Sequence, residues 1–168
     1  MLAQLLVLFV GPALLAAAAG WDLVSYTIPN FLPAALIAVF AVFAFAAGFP
    51  LGAAGGHVLA GASGLAIGLA LFAFGLIGGG DAKLFAAVCL WLGFSDLLEY
   101  AVVTSLIGGG LALMLISVRK LPIPAMLAGQ GWVARLHDAK AGIPYGVALA
   151  SAALVVLPHT DVFRLATG

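Results

Sequence analysis

Charged side chains are scarce in this sequence of 168 residues: Asp, Glu, Lys and Arg make up 7% of it, and hydrophobic residues make up 65%. Soluble domains carry about 25% charged residues, so this chain has too few polar groups to cover a surface that faces water. The composition excludes an ordinary soluble protein. It predicts an all-α, polytopic membrane protein whose residues 1–168 form a single domain.

Cysteine and basic residues are scarce as well. Cys89 is the only cysteine, which excludes a disulfide within the chain and a cysteine-based metal site. The three histidines lie far apart and lack the spacing of metal ligands, so neither a metal nor a cofactor is predicted. Because no Lys or Arg precedes Lys83, the first apolar run lacks the basic region of a signal peptide and is interpreted as a retained span.

Six apolar runs are candidates for membrane-spanning helices, which need about 20 residues each. They are residues 1–20, 31–49, 58–80, 84–95, 101–118 and 141–157. The second run is expected to end at Pro50 and the glycine-rich stretch through Gly56, and Gly108-Gly109-Gly110 are expected to interrupt the fifth. The GxxxG spacing of Gly64 and Gly68 predicts close helix packing. The fourth run reaches only about 18 Å, less than the roughly 30 Å hydrocarbon core. We expect it to cross the membrane, with a re-entrant helix as the alternative.

The basic residues favour a topology with the N-terminus outside. Six crossings then place residues 21–30, 78–83 and 119–140 on the inner side, with every Lys and Arg except Arg164. This distribution satisfies the positive-inside rule. The basic residues of the longest polar segment are explained by topology and anionic lipid, so the lipid bilayer is a predicted partner and nucleic acid is not.

Two aspartates stand at the ends of long uncharged runs, where a carboxylate is costly to keep. In the predicted topology, Asp22 and Asp81 lie at the same membrane face. The structural alternative for Asp81 is the N-cap of a helix that begins at Ala82. For Asp22 it is an interfacial position, because Trp21 and Tyr26 are typical of membrane interfaces. A pair of carboxylates is also what aspartic peptide hydrolysis needs, one as general base on a water and one, protonated, as donor to the scissile carbonyl.

Three sequence patterns carry a resemblance to a known family. They are Asp22 with Ile28-Pro29-Asn30 after five residues, Gly78-x-Gly80-Asp81 continuing to Lys83 and Leu84, and Ile143-Pro144-Tyr145-Gly146 before the last run. Together they resemble the GxGD aspartic peptidases of the prepilin peptidase family, over essentially the whole chain. The resemblance implies that Asp22 and Asp81 are the catalytic pair and that the flanking motif residues support the active site.

The same resemblance implies a membrane aspartic endopeptidase that removes the leader of a prepilin or pilin-like precursor at the cytoplasmic face of the bacterial inner membrane. The chain is similar to the short, peptidase-only branch that serves Flp/Tad pili. It has neither the N-terminal region nor the paired cysteines of the bifunctional members, so methylation is not expected. Lys83 is interpreted either as an interfacial lysine that reaches lipid headgroups or as a partner of an active-site aspartate or an acidic substrate residue.

Hydropathy alone leaves two other functions open. A small proton- or cation-coupled transporter would use the same aspartates, but such proteins place them near mid-bilayer on broken helices. A non-catalytic membrane scaffold would tolerate Asp→Asn at either position. The paired motifs favour the peptidase.

Overall fold

The computed structural model describes residues 1–124, 126–127 and 129–168. Helices account for 79% of the chain and no strand occurs in these ranges, which confirms the all-α class. The helices are α1 (Leu2–Ser25), α2 (Phe31–Ala46), α3 (Leu51–Ala73), α4 (Gly79–Leu92), α5 (Leu97–Val118), α6 (Gly131–His137), α7 (Tyr145–Val156) and α8 (Asp161–Thr167). A π-helical stretch, Leu6–Val10, lies within α1, and the turn Leu157–His159 joins α7 to α8.

Three of these helices, α1, α3 and α5, are long and apolar enough to cross a membrane. The pair of α7 and α8 qualifies only as one broken span, because its two parts are bent by 55°. α2 is apolar but has 16 residues, and α4 has 14. Helix length and composition therefore support a membrane protein and three or four crossings, fewer than the six that hydropathy predicts.

The observed helix boundaries correct the predicted ones at the glycines. α3 begins at Leu51, directly after Pro50, and the glycines that follow are helical. α5 also continues through Gly108-Gly109-Gly110. Glycine lowers helix propensity by only about 1 kcal/mol, whereas an apolar environment requires every backbone group to be hydrogen-bonded. The first helix likewise extends to Ser25, so Asp22 lies in its last turn rather than in a loop.

The short helix α4 is the centre of the bundle. Most of its 14 residues are buried, and it packs against α2, α3, α7 and α8. At its far end, the indole N–H of Trp91 donates to the carbonyl of Leu36 in α2 at 2.9 Å. A helix that is enclosed by protein does not have to match the thickness of the bilayer. This position explains how so short a run is accommodated.

Small residues allow α3 and α4 to approach closely, as the GxxxG spacing predicts. A Cβ placed on Gly64 would lie 2.7 Å from Cys89 Sγ, and one on Gly68 would lie 3.0 Å from the Cα of Ala82. Real Cβ atoms essentially never come as close as the contact at Gly64, and the contact at Gly68 is tighter than most, so a side chain at either position would force the two helices to shift. The contact confirms the prediction and gives Cys89 a packing role.

Contacts along the bundle show that neighbouring helices alternate in direction. α3 and α4 are antiparallel, because Gly61 meets Leu90 at one end and Gly68 meets Ala82 towards the other. α5 and α7 are also antiparallel, since the hydroxyl of Tyr100 donates to the carbonyl of Leu149 at 3.2 Å and Gly108 packs on Tyr145. One end of the bundle therefore gathers the end of α1 and the starts of α2, α4 and α7. We call it the site end.

The α3–α4 contact generates a prediction for stability. Gly64→Ala should lower the free energy of unfolding by about 1–3 kcal/mol, because the new methyl group overlaps Cys89. Gly109→Ala is the matched control, since no described atom lies within 4 Å of a Cβ at this position. We expect the control to change stability by less than about 1 kcal/mol. Thermal unfolding in detergent tests the pair, and equal melting temperatures would contradict the packing described.

Candidate active site

The two predicted aspartates are buried and line one cavity at the site end. Asp22 is 4% exposed and Asp81 is 9% exposed, whereas the other four acids of the chain are at least partly exposed. The shared cavity has a volume of about 240 Å³ and is also lined by Tyr26, Thr27, Ile28 and Gly78-Gly79-Gly80. In the described ranges, no cluster of three or more His, Cys, Asp or Glu side chains forms a metal site.

Asp22 is held by the start of α7. The backbone N–H of Val147 donates to Asp22 Oδ2 at 3.3 Å, and it belongs to a first helical turn, where N–H groups favour a negative partner. Gly146 makes this approach possible, because a Cβ there would lie 2.9 Å from Asp22 Oδ2 and 2.5 Å from Ile28 Cδ1. The sequence pattern before the last run therefore contributes directly to the site.

Asp81 is held by the turn that begins α4. The helix begins at Gly79 rather than at Ala82, and the carboxylate reaches back from the first turn to accept from the N–H of Gly78 at 3.0 Å. The capping alternative is thus partly correct, although Asp81 caps from within the helix. This bond occupies Oδ2 only. Oδ1 is buried and has no hydrogen-bond partner among the described residues, so its capacity to accept a hydrogen bond is unused in this structure.

Two contacts join the α1–α2 connection to the start of α4. A Cβ placed on Gly80 would lie 3.0 Å from Ile28 Cβ and 3.2 Å from the backbone N and O of Ile28. Nearby, Lys83 Nζ donates to Asn30 Oδ1 at 2.7 Å. Residues 27–29 are non-helical, as expected next to Pro29. The two motifs of the sequence therefore touch, and a hydrogen bond between Lys83 and Asn30 joins them.

Tyr26 is a site residue for which sequence reasoning gave a different role. It ends α1 in the left-handed conformation, with φ 57° and ψ 27°, and its N–H donates to the carbonyl of Asp22 at 2.8 Å. Its hydroxyl is buried and lacks a hydrogen-bond partner in the described structure. Burial raises the pKa of this phenol above its ordinary value, so the group keeps its proton at neutral pH. The sequence indicated only an interfacial tyrosine, because no glycine marks the left-handed position at the end of α1.

Basic side chains of the segment after α5 also lie at the site end. Arg119 Nε donates to the carbonyl of Leu136 at 2.8 Å, and Arg135 Nη1 donates to the carbonyl of Val24 at 3.2 Å. The second bond satisfies a carbonyl in the last turn of α1, where a cation is favourable. These contacts fold the segment back against α1, beside the cavity that holds the aspartates.

Comparison with known proteins decides the family. The model of the family described as "Type IV leader peptidase family" matches residues 9–113, which is more than half of the chain and includes both aspartates. The chain belongs to the type IV leader peptidase family. No curated protein and no solved structure matches it. Family membership confirms the resemblance seen in the sequence motifs and shows a leader-peptidase-like protease. The transporter alternative finds no support.

Helix α7 also contributes to the site, although it lies outside the residues that match the family model. Gly146 and Val147 lie beyond residue 113, where the match ends, yet both contact Asp22. Gly146 could be found from the sequence, because it belongs to the motif before the last run. The N–H of Val147 could not, since every residue except proline has such a donor.

The contact between Gly80 and Ile28 generates a prediction for activity. Gly80→Ala should lower the rate of leader cleavage about tenfold or more, because the methyl group pushes Asp81 away from the α1–α2 connection and small displacements at an active site are costly. Gly79→Ala is the control, as the nearest atom to its Cβ, Phe72 Cε2, lies at 3.5 Å. Cleavage by the two variants at equal membrane levels tests this, and equal losses would contradict it.

Proposed function

We propose that this chain is an aspartic endopeptidase that uses Asp22 and Asp81 as its catalytic pair. One observation carries the proposal: the two buried acids line the same cavity, and both lie within the residues that match a peptidase family. Burial of two carboxylates in one apolar bundle costs free energy, so such residues are retained mainly where they serve a function. A scaffold would have no need of the pair, since other polar residues can end or cap a helix.

The hydrogen bonds around the pair suit the proposed chemistry. One carboxylate takes a proton from a water, which attacks the scissile carbonyl carbon, while the other, protonated, donates to the carbonyl oxygen. The tetrahedral intermediate then collapses: the first carboxyl gives the proton that it took from water to the amide nitrogen, the C–N bond breaks and the amine leaves, and the proton on the former carbonyl oxygen returns to the second carboxylate. Two like charges close together are costly, so one proton is shared by the pair near neutral pH. The bonds from Val147 and Gly78 orient the two carboxylates, and Asp81 Oδ1 retains an unused capacity to accept a hydrogen bond.

We place this site at the cytoplasmic face of a bacterial inner membrane, in a chain that crosses six times with its N-terminus outside. The crossings are α1, α2, α3, α4, α5 and the bent pair of α7 and α8. Alternating helix directions support this arrangement, and so does the position of Lys83, Arg119 and Arg135 at the site end. Cytoplasmic segments are those enriched in Lys and Arg.

The proposed substrate is a prepilin or pilin-like precursor, and the proposed product is the pilin without its leader. A basic leader would stay in the cytoplasm while the apolar segment that follows it stays in the bilayer, so the scissile bond would reach the membrane face where the aspartates lie. Residues 1–168 act as one peptidase domain, because α4, which carries Asp81, packs on helices from both halves of the chain. No methylation activity is proposed.

Asparagine substitutions test the pair. Asp22→Asn and Asp81→Asn should each lower cleavage of a co-expressed Flp-type prepilin by at least about a thousandfold, because the one carboxyl that remains cannot serve both as base on the water and as acid towards the carbonyl oxygen. Asp96→Asn is the control, since this acid lies in the turn that precedes α5, away from the aspartate cavity. Immunoblots of mature pilin and of the membrane-inserted enzyme give the readout. Unimpaired cleavage by either variant would remove that residue from the mechanism.

A further inference from the structure

A second cavity adjoins the aspartate cavity. It has a volume of about 340 Å³ and lies between the α3–α4 connection, α4, α5 and α7. Three residues of its lining are close in sequence to residues of the active site. Ile77 precedes Gly78 and Phe85 lies one helical turn after Asp81, both of which line the aspartate cavity. Tyr145 precedes Gly146, which contacts Asp22. Because α4 runs from the site end into the bundle, the level of Phe85 is about 6 Å deeper than that of Asp81.

The lining of this second cavity is mainly apolar and includes one unusual hydroxyl. Phe85 stacks on Tyr100 with ring centroids 6.0 Å apart, which closes the inner side. Thr104 is 5% exposed, and its hydroxyl oxygen is buried without a hydrogen-bond partner in the described part of the chain. The hydroxyl of Ser105, in contrast, donates to the carbonyl of Ala101 at 2.7 Å. The cavity therefore suits an apolar peptide segment with one backbone N–H that can pair with the Thr104 hydroxyl.

The cavity also opens sideways, towards the region that lipid would occupy. Leu76 is 68% exposed at its rim, and Ala101 and Ser105 are exposed on the α5 side. A chain that lies in the bilayer can therefore enter between α5 and the α3–α4 connection without passing through the centre of the bundle.

We propose that this second cavity binds the first apolar residues after the scissile bond of the substrate. The inference rests on the proposed function, since it needs the scissile bond to lie at Asp81. From there the substrate must continue into the bilayer, which is the direction of the second cavity. An extended peptide advances about 3.3 Å per residue, so it covers the distance of about 6 Å to the level of Phe85 in about two residues. Residues two and three after the cut occupy the cavity.

The Thr104 hydroxyl has a defined role in this arrangement. The first residues of a membrane-spanning helix have backbone N–H groups without a partner in the helix, and in an apolar environment each must find one. The Thr104 oxygen is enclosed in this structure, so the side chain must rotate about its Cα–Cβ bond to accept such a bond from the bound segment. Lipid acyl chains, which would fill an apolar cavity equally well, offer no donor for it.

A cavity-filling variant tests the size of the occupant. Ala101→Phe should lower kcat/KM about 10- to 200-fold for a precursor with Phe at the second and third positions after the cut, which is the range for steric discrimination in an apolar pocket. For the same precursor with Ala at both positions, the loss should be below about threefold, because the small side chains still fit beside the new ring.

The matched control is Ala41→Phe, which places the same ring in the other apolar groove, between α2 and α3. We expect it to leave both precursors unaffected. Equal losses for the two precursors with Ala101→Phe would overturn the inference and indicate bound lipid or a disturbed fold, and no loss would overturn it too. If the wild type cleaves neither precursor, the proposed function itself fails.

Thr104→Val provides a second test that does not depend on steric filling. The two side chains have similar shapes, so a purely structural role predicts a melting temperature that stays the same or rises when an unpartnered hydroxyl is removed. Our inference predicts in addition a fall in kcat/KM of about fivefold to tenfold, the effect of one lost hydrogen bond. A variant with unchanged kcat/KM would contradict the role assigned to this hydroxyl.

Discussion

A carboxylate that is buried in an apolar bundle needs hydrogen-bond donors from the protein itself. This requirement organises the site end, because each of the two buried aspartates receives a backbone N–H from a different helix start. Asp22 takes its bond from the first turn of α7, and Asp81 takes its bond from the residue before α4. The bond to Asp22 requires the backbone of α7 to approach closely, which explains Gly146, whereas Gly80 lets the start of α4 approach Ile28.

The central position of α4 follows from the same constraint. Asp81 lies in the first turn of a helix that is short and mostly buried, and glycines in α3 let the two backbones meet. The helices α2, α3, α7 and α8 pack directly on it, while α1, α3 and α5 are the helices long and apolar enough to cross a membrane. The carboxylate of Asp81 therefore lies near the end of an enclosed helix, while α1, α3 and α5 have the length that a membrane crossing requires.

Much of this could be predicted from the sequence, and the failures have physical reasons. Composition predicts an all-α membrane protein, and the motifs predict the family and the two aspartates, because side-chain type and spacing determine both. Helix boundaries at glycines were predicted wrongly, since local propensity gives way where the environment leaves no water for the backbone. The number of helices that satisfy the length criterion is smaller than the number of apolar runs for a similar reason, because an enclosed helix such as α4 does not have to match the thickness of the bilayer.

The contacts of the site were harder to predict than its residues. The bond from Val147 to Asp22 joins positions 125 residues apart, and no sequence pattern encodes a backbone donor. The left-handed turn at Tyr26 depends on how α1 ends against its surroundings, and the Lys83–Asn30 bond depends on how two connections meet. These features depend on how distant segments pack together, which the residue types alone do not determine.

The central claim is that Asp22 and Asp81 act as one catalytic unit. The most direct test is a double-mutant cycle on purified enzyme in detergent, with kcat/KM measured for the wild type, the two single Asp→Asn variants and the double variant. Groups that act as a unit are strongly non-additive, so the double variant should be about as slow as the slower single variant. Losses that multiply in the double variant would show two independent roles and contradict the account.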